Sequence, residues 1–125
     1  MILGTGIDLV EVERIERSLS VYGERFLERV FTPAEREYCD RHKNRAERYA
    51  ARFAAKEAGM KALGTGWRRG IRWRDLEVAR RPGGRPTLNF AGAAAQMAAH
   101  LRVRNVALSL THTATQAMAE VILED

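Results

Sequence analysis

The chain is organised around one segment in its middle, Arg52-Phe53-Ala54-Ala55-Lys56-Glu57-Ala58-Gly59-Met60-Lys61-Ala62-Leu63-Gly64. Ala, Leu, Met, Lys and Glu are good helix formers, and Gly64 stands where a left-handed C-terminal cap is expected. The segment therefore predicts a long helix from about Glu47 to Leu63. Within it, Phe53, Glu57 and Lys61 fall on one i, i+4 row, and the small residues beside them would let another backbone approach closely.

Glu57 and Lys61 allow two interpretations. They can be an exposed helix pair that contributes about 0.3–0.5 kcal/mol. Alternatively they carry chemistry, because Glu57 is the only acidic residue between positions 48 and 74 and is not one charge of a mixed-sign face. The chain has only three lysines among its 21 Lys and Arg residues, and two of them, Lys56 and Lys61, lie on this helix. A compact, movable ammonium suits a phosphate, which weakens the first interpretation.

Length and composition predict a single domain over residues 1–125, because 125 residues of which 46% are hydrophobic can form a real core. The single cysteine, Cys39, cannot form an internal disulfide and suits a reducing cytosol. The N-terminal segment lacks a basic region and meets a charge at Asp8. We therefore expect a cytoplasmic protein with neither a signal peptide nor a membrane span.

The net charge of +5 is unevenly placed along the chain. Residues 48–119 contain 13 basic and 3 acidic residues, whereas residues 1–47 contain 8 and 10, and residues 120–125 contain 0 and 3. A basic centre predicts an anionic partner, such as a nucleic acid, a phosphorylated cofactor or an acidic protein. The alternative is that an arginine-rich composition spreads these charges over a solvated surface.

The N-terminal segment alternates like a strand from Ile2 to Val10, with Gly4, Gly6 and Asp8 on one face. An acid within an apolar strand either faces water or needs a cation or a donor as its partner. We expect the two glycines to leave room for such a partner.

Helical spacing predicts a helix from Val12 to Tyr22, with Tyr22 on its apolar stripe, and a short second helix near residues 26–31. The next segment, Thr32-Pro33-Ala34-Glu35, is a capping box with proline at the first helical position. It predicts a helix that carries Tyr38 and Cys39 inward and ends near His42, a histidine that we expect to be exposed.

The C-terminal half predicts a hairpin and two further strands. The hairpin strands are residues 76–80 and 86–90 around Pro82-Gly83-Gly84-Arg85. A helix from about Ala93 to Leu101 leads to a strand that ends at His112 and to a closing strand over residues 116–123. These elements predict an α+β fold in which antiparallel strands pack on one long central helix.

Three segments together resemble a known family. They are Gly6-Ile7-Asp8-Leu9-Val10-Glu11-Val12-Glu13-Arg14, the central Arg52–Ala58 segment with Lys61-Ala62-Leu63-Gly64-Thr65-Gly66, and Ser109-Leu110-Thr111-His112. With Gly84-Arg85-Pro86, they closely resemble holo-acyl-carrier-protein synthase, the small bacterial type of 4′-phosphopantetheinyl transferase. The resemblance implies that fold, and it implies transfer of 4′-phosphopantetheine from coenzyme A to a serine of apo-acyl carrier protein, with release of adenosine 3′,5′-bisphosphate.

The resemblance also implies catalytic roles for Asp8, Glu57 and Lys61. Asp8 and Glu57 match the family's metal-binding acids, and two carboxylates with phosphate oxygens and water suit Mg²⁺. Lys61 matches the lysine beside the phosphates. The base that takes the serine proton stays open between Glu57, Asp8 and a metal-bound water.

Further matches concern binding surfaces. The family's coenzyme A cleft, which lies between the subunits of a homotrimer, corresponds here to Lys61 together with Arg52, Gly64, Pro86, His112 and Thr113. Thr113 stands where some relatives have an acid, which leaves its role open. Arg14 matches a position that faces the acidic carrier protein, and we expect Arg25 and Phe26 to lie nearby.

Two rival functions remain. A nucleic-acid-binding module would use the central arginines with stacking by Trp67 or Trp73, but it gives Asp8 and Glu57 no task beside phosphates, and core burial is the expectation for both tryptophans. A carrier-protein-binding subunit without catalysis would not need Asp8, Glu57 and Lys61 together. We therefore expect no nucleic acid partner.

Overall fold

The structure, a computed structural model, describes residues 1–66 and 70–125. The described elements follow in the order β1 (Ile2–Glu11), α1 (Val12–Tyr22), α2 (Glu24–Val30), α3 (Pro33–Asp40), α4 (Arg45–Leu63), a 3₁₀ turn (Trp73–Asp75), β2 (Leu76–Arg80), β3 (Pro86–Phe90), α5 (Gly92–His100), β4 (Asn105–His112) and β5 (Gln116–Glu124). Strands β1, β5 and β4 form an antiparallel sheet in that spatial order, and β2 and β3 form a separate antiparallel hairpin. The predicted α+β class is confirmed.

Helix α4 is the central element. It begins at Arg45, two residues before the predicted start at Glu47, and ends at Leu63 with Gly64 as its left-handed cap at φ 78°. From position 49 to position 63 only Glu57 and Lys61 are not buried. A helix enclosed on nearly every side belongs to the core. Within this buried stretch, Glu57 and Lys61 are therefore the side chains that can meet a ligand.

Strand β1 packs directly against the backbone of α4. A Cβ atom added at Gly4 would overlap the carbonyl oxygen of Ala62, and one added at Gly6 would overlap that of Ala58. The expectation that these glycines leave room beside Asp8 is therefore wrong, because the helix backbone fills the space. This close approach holds Asp8, two residues further along the same face of β1, against the helix surface that carries Lys61.

Replacement of Gly6 by Ala is expected to lower the free energy of unfolding by about 1–3 kcal/mol, because the added methyl group has no space without separating β1 from α4. Ser20→Ala, at an exposed position of α1 outside this contact, is the control and should stay within about 0.5 kcal/mol of the wild type. Urea unfolding followed by circular dichroism measures both. Equal stability of Gly6→Ala and the wild type would contradict the close packing.

Helix α3 begins as predicted. The Thr32 hydroxyl accepts a hydrogen bond from the Glu35 N–H at 3.3 Å, and the Glu35 carboxylate accepts one from the Thr32 N–H at 2.9 Å. Cys39 is completely buried, and burial raises the pKa of its thiol to about 12, which makes it inert as a nucleophile. The prediction of an inward Cys39 is confirmed.

Helix α3 ends close to His42, as predicted. The helix stops at Asp40, and the chain then turns back toward α4 with the His42 N–H bonded to the Cys39 carbonyl. This turn lays His42 edge-on against the partly buried Tyr38 ring, with centroids 4.7 Å apart. The expectation of an exposed His42 is therefore wrong, because the turn leaves it only partly accessible.

The lysine of α4 that precedes Glu57 does not serve the ligand-facing surface. Lys56 is fully buried, and its ammonium lies 2.8 Å from the equally buried Glu35 carboxylate. It also donates to the carbonyl oxygens of Trp73 at 3.2 Å and Leu76 at 2.5 Å. The second Glu35 oxygen accepts the N–H of Val78 at 2.7 Å. The Lys56–Glu35 ion pair thus joins α3, α4 and β2. Because Lys56 is buried in this way, Lys61 is the lysine of α4 that is available to a phosphate.

Trp73 stacks on Phe53 with centroids 4.7 Å apart and is partly buried, in agreement with the core role expected for it. Trp67 lies outside the described residues. Among the helices that the structure describes, none combines the length and the apolar character needed to cross a membrane.

Candidate active site

Asp8 and Lys61 meet where β1 crosses α4, although 53 residues separate them in sequence. The Lys61 ammonium lies 3.1 Å from Oδ1 of Asp8 and donates to the carbonyl oxygen of Ile7 at 2.9 Å. The Asp8 side chain is only 11% exposed, whereas that of Lys61 is 54% exposed. Within the described residues the ion-pair partner of Lys61 is Asp8 rather than Glu57, so the simple i, i+4 pair is not what forms.

Glu57 completes the cluster from the same face of α4. Burial raises the pKa of its carboxyl, and the charge of Asp8 raises that pKa further, while Arg14 and Lys61 act in the opposite sense. The two carboxylates are therefore close enough to repel each other. Asp8 and Glu57 thus interact electrostatically within one protomer, and their binding of a shared cation stays a prediction.

The cluster has the character of a cation site. Oδ2 of Asp8 is buried and finds no hydrogen-bond partner in residues 1–66 and 70–125. A buried carboxylate oxygen without a partner is costly, and so is the repulsion between Asp8 and Glu57. A divalent cation would relieve both costs. The described residues contain no group of three or more His, Cys, Asp or Glu side chains placed to hold one metal ion. An ion bound by Asp8 and Glu57 would therefore keep open coordination positions, as Mg²⁺ does when it binds one or two carboxylates and substrate phosphates.

Arg14 of α1 borders this cluster. Its guanidinium lies 5.2 Å from the centroid of the Phe53 ring, and its charge acts on the Glu57 carboxyl. Phe53 is one helical turn before Glu57, and its ring also stacks on Trp73. The predicted row of Phe53, Glu57 and Lys61 thus begins at an aromatic stack and ends beside Asp8. Arg14 lies next to Phe53 and Glu57.

Arg25 and Phe26 line a recess of about 420 Å³ together with Tyr22 and Arg29. Tyr22 is 61% exposed, so its predicted place on the apolar stripe of α1 is wrong. Phe26 packs against Phe53, with centroids 6.3 Å apart, so the recess adjoins the row that leads to Glu57. Sequence reasoning missed Tyr22 and Arg29 as members of this surface, although both lie four residues from Phe26 or Arg25 on the chain.

Arg52 does not join the cluster in one protomer. It lies five positions before Glu57, which places it about 140° away around the helix axis. Its guanidinium stacks on the Tyr38 ring at 4.0 Å, is buried, and has an Nε without a partner in the described chain. Arg80 donates to the Tyr38 hydroxyl at 2.5 Å. Burial raises the pKa of Tyr38, but the charges of Arg80 and Arg52 outweigh it and hold that pKa below its ordinary value, as expected in a strongly cationic pocket.

The remaining predicted residues occupy three places. Gly64 caps α4 directly beyond Lys61, whereas Pro86 begins β3 and lines a recess of about 460 Å³ with Arg81, Arg85 and strand β4. His112 ends β4 and lies 3.0 Å from Glu47, which sequence reasoning did not connect with it. The Thr113 hydroxyl accepts the N–H groups of Thr115 and Gln116 and so caps the turn to β5.

Comparison with known proteins gives a consistent result. Residues 4–117 match the family model of the 4′-phosphopantetheinyl transferase superfamily. A holo-[acyl-carrier-protein] synthase of Solibacter usitatus is 60% identical over 125 residues, which cover 100% of both chains. A crystal structure of holo-[acyl-carrier-protein] synthase from Neisseria meningitidis superposes with a TM-score of 0.90 at 31% identity and 100% coverage of both chains. One from Bacillus anthracis, in complex with CoA (3′,5′-ADP), superposes with a TM-score of 0.80 at 37% identity, covering 98% of this chain and 96% of that chain. The chain therefore belongs to the 4′-phosphopantetheinyl transferase superfamily and, within it, to the holo-acyl-carrier-protein synthases.

Proposed function

We propose that this chain transfers 4′-phosphopantetheine from coenzyme A to a serine of apo-acyl carrier protein and releases adenosine 3′,5′-bisphosphate. One observation carries the proposal. Beside Glu57 lie the half-exposed Lys61 ammonium and an Asp8 oxygen that has no hydrogen-bond partner among the described residues, and Glu57 and Lys61 are the accessible side chains of an otherwise buried stretch of α4, positions 49–63. This combination suits a pyrophosphate and a cation together. The coenzyme A complex of the Bacillus anthracis relative supports the choice of donor.

In the proposed reaction the serine oxygen bonds to the β-phosphorus of coenzyme A, and the bond from that phosphorus to the oxygen of the departing bisphosphate breaks. Asp8 and Glu57 would hold Mg²⁺, which when bound supplies positive charge to the pyrophosphate oxygens. The Lys61 ammonium, fixed by Asp8 and the Ile7 carbonyl, donates to the phosphate oxygens on which charge develops. Of the side chains of this chain, the carboxylates of Glu57 and Asp8 are the groups of the cluster that can accept the serine proton.

The direct test is incubation of the protein with coenzyme A, Mg²⁺ and an apo-acyl carrier protein, followed by intact mass spectrometry of the carrier. A mass gain equal to one phosphopantetheine arm is expected, together with its loss when the carrier serine is replaced by Ala. An unchanged carrier mass with both substrates at saturation would reject the proposal. Binding of a labelled oligonucleotide that persists at physiological salt would instead favour the nucleic-acid rival.

We propose that the recess formed by Tyr22, Arg25, Phe26 and Arg29, together with Arg14, receives the carrier protein. Its floor is apolar and its rim carries two guanidinium groups, which suits an acidic surface with one apolar side chain at its centre. Because Phe26 packs on Phe53, a carrier bound here would lie next to the aromatic row that ends at the Asp8 cluster.

Replacement of Arg25 by Glu is expected to raise the KM for the carrier protein about tenfold without changing the KM for coenzyme A, since the change reverses charge at the proposed docking surface. Arg104→Glu makes the same change at an exposed position on the turn before β4 and is the matched control. Steady-state kinetics at two salt concentrations measure both. If the two variants raised the KM for the carrier protein equally, only the total charge of the enzyme would matter, and the proposed docking surface would be contradicted.

We also propose a homotrimer with its active sites between subunits. The sheet face turned away from α4 exposes apolar side chains, with Ile7 55%, Leu9 52% and Met118 37% exposed. Leu9 and Met118 are cross-strand partners, so these side chains form one patch, as is typical of an interface. Arg52, Pro86 and His112 lie apart from Asp8 in one protomer, and a second copy would bring such residues to the cluster.

Native mass spectrometry of the wild type is expected to give three times the chain mass of 14.1 kDa. Leu9→Arg places a charge in the apolar patch and should shift the population to the monomer, because a buried charge without a partner is costly. Val21→Arg, at an exposed apolar residue of α1, is the control and should leave the assembly intact. A monomeric wild type at micromolar concentration would contradict the proposed trimer.

We further propose that residues 1–125 act as one domain in the cytoplasm. One continuous hydrophobic cluster runs through the described residues from Val10 to Leu123. Cys39, a free thiol within it, suits a reducing compartment.

A further inference from the structure

The contact between Glu47 and His112 joins two distant parts of the chain. Nδ1 of His112 lies 3.0 Å from Oε1 of Glu47, across 65 residues of sequence. The two side chains are 24% and 22% exposed, so each is mostly covered. His112 ends β4 on the face that the sheet turns toward α4, and Glu47 lies in the first turn of that helix. The contact therefore fixes the end of the strand to the start of the helix.

The geometry decides which ring nitrogen carries a hydrogen. A carboxylate oxygen only accepts hydrogen bonds, so the proton between the two groups belongs to Nδ1 of His112. Nε2 lies on the other side of the ring and has no hydrogen-bond partner in residues 1–66 and 70–125. It therefore offers a lone pair when the ring is neutral and an N–H when the ring is protonated. Glu47 sets both the tautomer and the direction in which Nε2 points.

Glu47 gives up a local role to make this contact. It is the third residue of α4, where a glutamate ordinarily bonds back to the N-cap N–H in a capping box. The N-cap residue, Asn44, makes no side-chain cap bond, and its Oδ1 instead accepts from Nε of Arg48 at 3.3 Å. Both residues that would cap the helix are thus committed elsewhere. The usual capping of the helix start is thus replaced by the long-range contact of Glu47 with His112, and such exceptions are typical of functional sites.

We infer that Glu47 is a positioning residue for coenzyme A: it holds His112 in the Nδ1–H form, with Nε2 free to hydrogen-bond to the substrate. The inference rests on the proposed function and on the expectation, implied by the family resemblance, that His112 lines the coenzyme A cleft. A carboxylate that orients an imidazole without touching the substrate acts in the same way beside many catalytic and metal-bound histidines.

The test combines kinetics with a spectroscopic measurement of the ring. Glu47→Ala removes the acceptor and is expected to raise the KM for coenzyme A about tenfold, with kcat within about twofold of the wild type. Glu47→Gln keeps an acceptor oxygen and should restore part of the loss. Nitrogen-15 NMR of the three histidines, with His112 assigned from a His112→Gln variant, should show the hydrogen on Nδ1 in the wild type and a mixture of tautomers in Glu47→Ala.

The matched control is Glu124→Gln. Glu124 accepts from the Asn105 side chain at 2.9 Å and so holds the opposite end of β4 with the same type of group. It should leave the KM for coenzyme A unchanged. In the His112→Gln background, Glu47→Ala should have no further effect on that KM, because Glu47 acts only through the ring.

The inference is overturned if Glu47→Ala leaves either the KM or the tautomer unchanged, or if its effect adds fully to that of His112→Gln. Should Glu47→Ala fail to fold, Glu47→Gln carries the same comparison at smaller amplitude. Wild-type transfer with normal kinetics in every Glu47 variant would reject the inference alone. A wild type that neither binds coenzyme A nor modifies the carrier would reject the proposed function, and the positioning role with it.

Discussion

Asp8→Asn and Glu57→Gln are each expected to slow phosphopantetheine transfer by at least about 10²–10³-fold while leaving the fold intact. The physical reason is that both side chains place charge where the phosphate chemistry needs it and contribute little to packing. One Asp8 oxygen lies on Lys61 and the other has no hydrogen-bond partner in the part of the chain that the structure describes. Glu57 is half-buried and repelled by Asp8. Single-turnover rates at saturating substrate, with circular dichroism of each variant, measure both parts of the prediction.

A second measurement separates a cation site from a general loss of activity. Mg²⁺ should raise the thermal unfolding midpoint of the wild type, since a ligand that binds only the folded state stabilises it, and the rise should vanish in both variants. Without Mg²⁺, Glu57→Gln should unfold no earlier than the wild type, because removing its charge relieves the repulsion from Asp8. Glu37→Gln, at an exposed position of α3, is the control carboxylate. Wild-type rates of either site variant at limiting Mg²⁺ would contradict the proposed metal role.

The parts of the fold that sequence predicted are those in which local chemistry and long-range packing agree. The central segment is rich in helix formers and ends in a glycine cap, and α4 ends at Leu63 as predicted. The capping box at Thr32 needs only four consecutive residues, and it starts α3 where expected. The hairpin strands β2 and β3 likewise have the predicted bounds, since their turn residues define them.

The candidate site was predictable in part for the same reason. Glu57 and Lys61 share a helix face by spacing alone, but their link to Asp8 came only from the family resemblance, because nothing local connects a strand with a helix fifty residues later. The small residues of the central segment indicated the close approach of another backbone without saying which one. That backbone is β1, whose Gly4 and Gly6 lie against the carbonyl groups of Ala62 and Ala58. The contact of Glu47 with His112 has no local signal at all, since each residue looks ordinary in its own segment.

The different environments of Lys56 and Lys61 show most clearly what sequence alone could not predict. Lys56 and Lys61 are the same residue type on one helix, yet one is fully buried and the other half-exposed. Hydrophobic periodicity assigns faces only when a helix has a polar side, and α4 is buried nearly all round. The ion-pair partner of Lys56 was also not predictable, because Glu35 already had a local role in the capping box. The same carboxylate accepts the Thr32 N–H and binds Lys56.

Replacing Lys56 by Met is expected to lower the free energy of unfolding by about 3–5 kcal/mol, because it leaves the Glu35 carboxylate buried without its cation. The change also removes the donor to the Trp73 and Leu76 carbonyls, which join the start of the hairpin to α4. Burial lowers the pKa of Lys56 and Glu35 opposes that shift, so the ammonium depends on its partner. Urea unfolding followed by tryptophan fluorescence and circular dichroism measures the loss.

The matched comparison is the double variant Lys56→Met with Glu35→Leu, which removes both charges and fills the space with apolar atoms. It should be more stable than Lys56→Met alone, because no uncompensated charge stays in the core. It should still be less stable than the wild type, because Glu35 also accepts the N–H groups of Thr32 and Val78, which would then lack partners. If the double variant lost as much stability as the two single changes added together, the side chains would act independently, and the 2.8 Å contact would not be the reason for burying a lysine one residue before the active-site glutamate.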